Sequence, residues 1–314
     1  MKDMIGFGES AYTRREILKL MLGAGTWLVG ARLMGAERST QLRRVIPSSG
    51  ELVPAIGLGT AGAFDVGTEK TERHPLRDVL RLFVAMGGTL IDSSPMYGNA
   101  ETVVGDLARE LRVKEELFLA TKVWTEGGEA GVRQMEQSML RLGTERMDLM
   151  QVHNLIDWRT HLKTLQHWKA QGRIRYAGIT HYERGAFEDL ERVMRVEPID
   201  FVQLNYSIAE PEAEQRLLPL AAERGIAVIV NRPFAKAQLF RRVRGKSLPA
   251  WARTFDCTSW AQYFLKFILS HPAVTCTIPA TSKPEHLVDN MQAGLGRLPD
   301  GQARQKMIAY VKAR

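Results

Sequence analysis

Asp92, Tyr97, Lys122 and His153 are the residues whose types and spacing carry chemistry. A phenol, with a pKa of about 10, gives up its proton near neutrality only where its anion is stabilised. The ammonium of Lys122 supplies that by drawing the phenol's pKa down. A buried lysine keeps its charge only beside a carboxylate, and Asp92 is that partner. His153 can hydrogen-bond a carbonyl oxygen and turn it toward Tyr97. Together the four donate a proton to an oxygen that becomes negative as its carbon is attacked. No evident nucleophile accompanies them, so the attacking group comes from a cofactor, and hydride from a nicotinamide fits.

The elements that must position these residues are legible around them. Asp92, Lys122 and His153 each end an apolar run, at 89–92, 117–122 and 147–153. Further strand-like runs occupy 56–60, 174–180, 201–205, 227–231 and 274–279. Helix-period segments fall near 75–86, 100–111, 129–142, 159–171, 184–195, 212–224, 259–270 and 284–293, with a last one at 300–312. Ahead of them, 43–46 and 51–53 flank the turn Pro47-Ser48-Ser49-Gly50, a hairpin pattern. Eight strand–helix units in roughly 260 residues predict an α/β fold, a (β/α)8 TIM barrel, with an N-terminal β-hairpin and an extra C-terminal helix. Such a barrel gathers its strand ends on one face, where Asp92, Lys122 and His153 converge. Tyr97 follows in the loop after the second strand, and Gly98 turns the chain behind it. A doubly wound sheet is the rival fold, but Gly57, Gly59 and Gly62 lie within a strand and an irregular loop, and no helix follows them directly. They suit close packing of a strand beside a ligand.

Size and charge bound the remaining classes. The chain has 314 residues, is 45% hydrophobic and carries a net charge of +8. Its basic residues are interleaved with acids, which does not favour nucleic acid as a partner. The densest basic stretch, Arg241-Arg242-Val243-Arg244-Gly245-Lys246, reads as a solvated loop, with anion binding as the alternative. Cys257 and Cys276 make no disulfide framework, although a single bridge between them stays open, and no Cys/His cluster has zinc spacing. The first 36 residues read as a separate segment. Thr13-Arg14-Arg15-Glu16-Ile17-Leu18-Lys19, followed by an apolar stretch from Leu20 to Gly30, resembles a twin-arginine (Tat) export signal. That stretch is too short for a good membrane span. The expectation is a signal segment over 1–36 and one barrel over 37–314. It implies the twin-arginine machinery as a partner, a periplasmic location (with a cytoplasmic one as the alternative), and no stable membrane span in the mature form.

The segment Ile91-Asp92-Ser93-Ser94-Pro95-Met96-Tyr97-Gly98-Asn99-Ala100-Glu101 resembles the second-strand motif of the aldo-keto reductases. Ala120-Thr121-Lys122 and Gln151-Val152-His153-Asn154 match that family's third and fourth strand motifs, and the likeness runs over about residues 43–312. It implies reduction of a small carbonyl substrate by NADPH, with NADH as the alternative, across the C-terminal face of the barrel. Asp92 would tune Lys122, Tyr97 would be the acid and His153 would orient the carbonyl. Gly59 and Thr60, in Gly57-Leu58-Gly59-Thr60, would lie beside the nicotinamide. Thr180, His181 and Gln203 would hold its carboxamide, His181 replacing an asparagine usual in the family.

Departures begin at Asn231-Arg232-Pro233-Phe234, where many members have Tyr-Ser-Pro-Leu. Asn231 forfeits a ring that stacks on the nicotinamide. Arg232 is placed to compensate by reaching the pyrophosphate. The segment from Ile278 to Asn290 resembles the adenosine-phosphate site. There Ala280, Thr281 and His286 are aligned with the Lys, Ser and Arg that NADP-preferring members often carry at the 2′-phosphate. Lys283 is placed to supply one of the two missing cations, and Asp289 and Asn290 are aligned with the contacts to adenine. Trp124 is expected to wall the pocket or join the core, and the stretch from Arg232 to Thr258 reads as irregular. Two other readings compete with reduction: a non-catalytic nicotinamide-binding regulatory subunit, and a hydrolase using His153 and Asp92 around a metal.

Overall fold

The computed structural model describes residues 41–313, so the signal segment read over 1–36 lies outside them. A hairpin of β1 (Arg43–Val45) and β2 (Leu52–Pro54) comes first. Eight parallel strands follow: β3 (Leu58–Gly59), β4 (Leu90–Asp92), β5 (Phe118–Val123), β6 (Met147–His153), β7 (Ile174–Thr180), β8 (Phe201–Asn205), β9 (Ala227–Asn231) and β10 (Val274–Thr277). Each is hydrogen-bonded to the next in chain order. The ring closes where Gly57 N–H donates to Thr277 O at 2.9 Å and Gly59 N–H to Pro279 O at 3.2 Å. The expected (β/α)8 barrel is therefore present.

The glycines of the first strand make that closure feasible. A Cβ on Gly57 would sit 2.8 Å from Leu90 O, and one on Gly59 would sit 2.7 Å from Ile278 O. Only a residue without a Cβ lets both neighbouring backbones approach this closely.

Strand alternation sorts the side chains into two sets. Leu90, Phe118, Leu149, Tyr176 and Phe201 point inward and stack in layers. The hairpin lays Ile46 and Val53 over this cluster, plugging the end opposite the site. Residues of the other parity, such as Ile91, Val152, Ile179 and Val202, face outward into the core shared with the helices. Each such burial contributes roughly 1.5–3 kcal/mol. Two and four positions beyond the apolar layer, the same inward parity delivers Asp92, Lys122, Gln151, His153, Thr180, Gln203 and Asn231 to the C-terminal mouth.

The helices alternate with the strands as expected, with local differences. Helix α1 (Lys70–Ala85) begins before Pro75. Its first turn is tight, because Glu69 O accepts from the N–H groups of both Glu72 and Arg73 at 3.1 Å. Pro75 is the sixth residue of the helix, and it forfeits the bond that an N–H there would make to Thr71 O. The stretch read as irregular contains a short helix, Gln238–Arg242, and a 3-10 segment, Ala250–Phe255. Both are anchored by single buried apolar faces (Leu239, then Ala252 and Phe255), too brief to leave a periodicity. Cys257 and Cys276 are free and buried, which settles the bridge left open above. Among the described residues, no helix is long and apolar enough to cross a membrane.

Candidate active site

Strands β4 and β5 bring Lys122 Nζ to 2.6 Å from Asp92 Oδ2, and the same ammonium donates to Ser93 O at 2.6 Å. Asp92 Oδ1 accepts from Gln203 Nε2 at 2.7 Å and from Gln151 Nε2 at 3.1 Å. The carboxylate is thus ligated on both oxygens, which leaves it ill-suited to a metal and disfavours the hydrolase reading. Burial by itself lowers the Lys122 pKa, but the interactions led by the Asp92 carboxylate more than offset it. Its pKa ends above the usual lysine value, and the buried ammonium stays charged.

Tyr97 stands above this pair in the loop after β4. Its N–H bonds Ser94 O at 3.0 Å, and Gly98 completes the turn at φ 58°. A Cβ there would lie 2.1 Å from the Asp65 carboxylate, so the turn needs glycine. Lys122 Nζ is 5.2 Å from the centre of the phenol ring, and the His153 ring meets that ring edge-on at 6.1 Å. Here one expectation is corrected. Lys122 does pull the phenol's pKa down, but burial pushes it up by more and Asp92 adds to the rise, so the phenol ends above its usual value. In the free site Tyr97 holds its proton.

His153 is neutral. Burial, then the Lys122 charge, then His181 lower its pKa to about 3. Its Nδ1 lies 3.2 Å from Ser94 Oγ. The residues around the four that the motifs did not single out are Ser93, Ser94 and Gln151. Gln151 shares the inward parity of His153 two positions before it, a signal present in the sequence. The contacts of Ser93 and Ser94 follow from the loop and have no such signal.

A cavity of about 1060 Å³ runs from Tyr97 and His153 to the helix Pro284–Gln292. Gly59, Thr60, Thr180, Gln203, Asn231 and Arg232 line one part, and Thr281, His286, Asp289 and Asn290 the other. His181 and Lys283 are not on its wall; His181 stacks on Tyr182, with its Nδ1 accepting the Glu183 N–H at 3.2 Å. Thr180 Oγ donates to Gln203 Oε1 at 3.2 Å, and Thr60 Oγ to Asp92 O at 3.0 Å, so these groups already serve the protein. Asn231 Oδ1 differs: it is buried with no partner. Arg232 lies 3.9 Å over the Tyr182 ring. Trp124 is 39% exposed, which removes the core reading, and it is not on the cavity wall. The sequence reading also missed the aromatic wall formed by Tyr182, Phe234, Phe240 and Trp260.

Beyond Arg232 the backbone is strained. Arg232, Ala235, Lys236 and Ala237 all have positive φ, at 49°, 47°, 52° and 65°, without a glycine among them. Non-glycine residues adopt this region at a cost of about 1–3 kcal/mol each, and such strain gathers at ligand clamps. Arg232, Lys236 and Ala237 all face the cavity.

The chain is similar to known proteins over most of its length. The chain is 28% identical over 257 residues to methylglyoxal reductase YeaE of Escherichia coli, covering 79% of this chain and 88% of that one. An aldo/keto reductase from Klebsiella pneumoniae solved with NADP and acetate superposes with a TM-score of 0.73 at 27% identity, covering 86% of this chain and 95% of that one. A Klebsiella pneumoniae aldo-keto reductase solved with NADPH gives a TM-score of 0.71 at 26% identity, covering 87% of this chain and 95% of that one. Residues 55–306 match the aldo/keto reductase family as a whole, and the chain belongs to that family.

Proposed function

We propose that this enzyme reduces an aldehyde or ketone to an alcohol at the expense of NADPH, with NADH as the alternative, and that Tyr97 is the general acid. The observation that carries this is the sealed Asp92–Lys122 pair beneath a protonated Tyr97 and beside a neutral His153. Bound nicotinamide supplies the hydride. The chain's own residues do the rest. His153 and Tyr97 take the carbonyl oxygen between them, and Tyr97 passes its proton to that oxygen as negative charge develops on it. Lys122 then stabilises the phenolate, and Asp92 keeps Lys122 charged and fixed in place.

The cofactor half of the site fits a nicotinamide dinucleotide. Asn231 Oδ1 is an orphaned acceptor on the cavity wall, suited to a carboxamide N–H. Arg232 and Lys236 would face the pyrophosphate from the strained turn. Thr281 and His286, at the start of the helix Pro284–Gln292 where anions are favoured, and Asp289 and Asn290, in its last turn, would meet the adenosine end. The test is NADPH and NADH oxidation against a panel of aldehydes that includes methylglyoxal, with wild type beside Tyr97→Phe. Turnover that survives in the variant would sink the acid assignment, and bound cofactor without any turnover would favour the regulatory reading.

We further propose export through the twin-arginine machinery to the periplasm, supported by Arg14-Arg15 and the apolar stretch after them. Deleting residues 1–36 and finding an unchanged distribution between cell fractions would refute it.

A further inference from the structure

Ser94 is fully buried and touches the four-residue site directly. Its Oγ lies 3.2 Å from His153 Nδ1, and the same oxygen accepts the Met96 N–H at 3.3 Å. Among the described residues Ser94 Oγ has no other hydrogen-bond partner, so the imidazole nitrogen is the acceptor available to its proton. On the far side of the ring, His153 Nε2 makes no hydrogen bond to the described protein, and His153 lines the cavity together with Tyr97.

We infer that Ser94 is a positioning residue that donates its hydroxyl proton to His153 Nδ1 and so keeps the ring proton on Nε2, toward the carbonyl oxygen. This rests on the reductase reading of the site. A neutral imidazole has one proton, and whichever nitrogen accepts a hydrogen bond leaves the other as the donor. The opposite tautomer would present a lone pair to the carbonyl oxygen and repel it. Double protonation offers no way round this, because burial and the Lys122 charge hold the ring neutral. The edge-on contact with Tyr97 at 6.1 Å limits rotation of the ring, so the choice of tautomer decides what faces the substrate.

Long-range proton–nitrogen correlation spectra of His153, assigned through His153→Gln, test this without turnover. The wild type should show Nδ1 as an unprotonated acceptor and Nε2 as the protonated nitrogen. Ser94→Ala should mix the tautomers and lower kcat/KM about tenfold, the value of one hydrogen bond. Its NADPH affinity, read by fluorescence titration, should be unchanged. Ser94→Thr, which keeps the hydroxyl, should restore both spectrum and rate. A proton on Nδ1 in the wild type overturns the inference with no variant needed, and so does a spectrum that Ser94→Ala leaves unaltered. The stated tautomer in a protein that reduces no carbonyl would support the Ser94 contact and sink the reductase reading.

Discussion

Lys122 Nζ and Asp92 Oδ2 are 2.6 Å apart, with Lys122 0% and Asp92 2% exposed. Removing one member of such a pair leaves the other charge buried and uncompensated. Lys122→Met is expected to destabilise the fold by about 3–5 kcal/mol in urea unfolding. The double variant Asp92→Leu/Lys122→Met should recover most of that loss while remaining inactive. A single variant as stable as wild type would show that Gln151 and Gln203 suffice to hold the carboxylate.

Tyr97→Phe removes only the acid. Its kcat should fall by about 10²–10⁴-fold, the usual weight of a positioned proton donor. Cofactor affinity should stay within about twofold of wild type, since no uniform binding interaction is lost. Parallel fluorescence titration and steady-state kinetics read the two quantities separately.

The rate of reduction should be insensitive to pH through neutrality. The phenol's pKa is raised above about 10, so the acid form is loaded well into the alkaline range. His153, lowered to about 3, does not titrate near neutrality either. A titration in kcat/KM between about pH 6.5 and 9 would contradict both assignments.

Stability should behave differently. The unfolded chain takes up a proton on His153 below about pH 6.5, whereas the folded chain resists protonation down to about 3. The contribution is whole above the unfolded value and is lost as the pH falls from 6.5 toward 3. At pH 5 the loss is of order 2 kcal/mol, discounted for any relaxation of the site. Urea midpoints of wild type and His153→Gln, compared at pH 7 and pH 5, should show the wild type losing more.

Arg232 carries the separate cofactor prediction. Arg232→Ala should weaken NADPH binding by about 10–100-fold, the worth of charge-assisted bonds to phosphate. The steepness of the salt dependence should fall with it. Unchanged affinity would leave Arg232 to its contact with Tyr182 and nothing more.

Strand and helix alternation, the (β/α)8 count and the convergence of Asp92, Tyr97, Lys122 and His153 were all readable from the chain. Each depends on local periodicity or on the rule that parallel strands share one end. Several strands, among them Met147–His153 and Ile174–Thr180, could be bounded to the residue because apolar runs there end on polar groups. Tertiary structure decided what local pattern cannot encode. The direction of the Tyr97 shift is a contest between burial and a single ammonium, and burial is a property of everything packed around the ring. The left-handed turn at Ala235–Ala237 had no glycine to announce it, because strain held by surrounding contacts leaves no local signature. Ser94 reaches His153 across 59 positions of sequence, and only the closed barrel brings the second and fourth strand ends near enough for that bond.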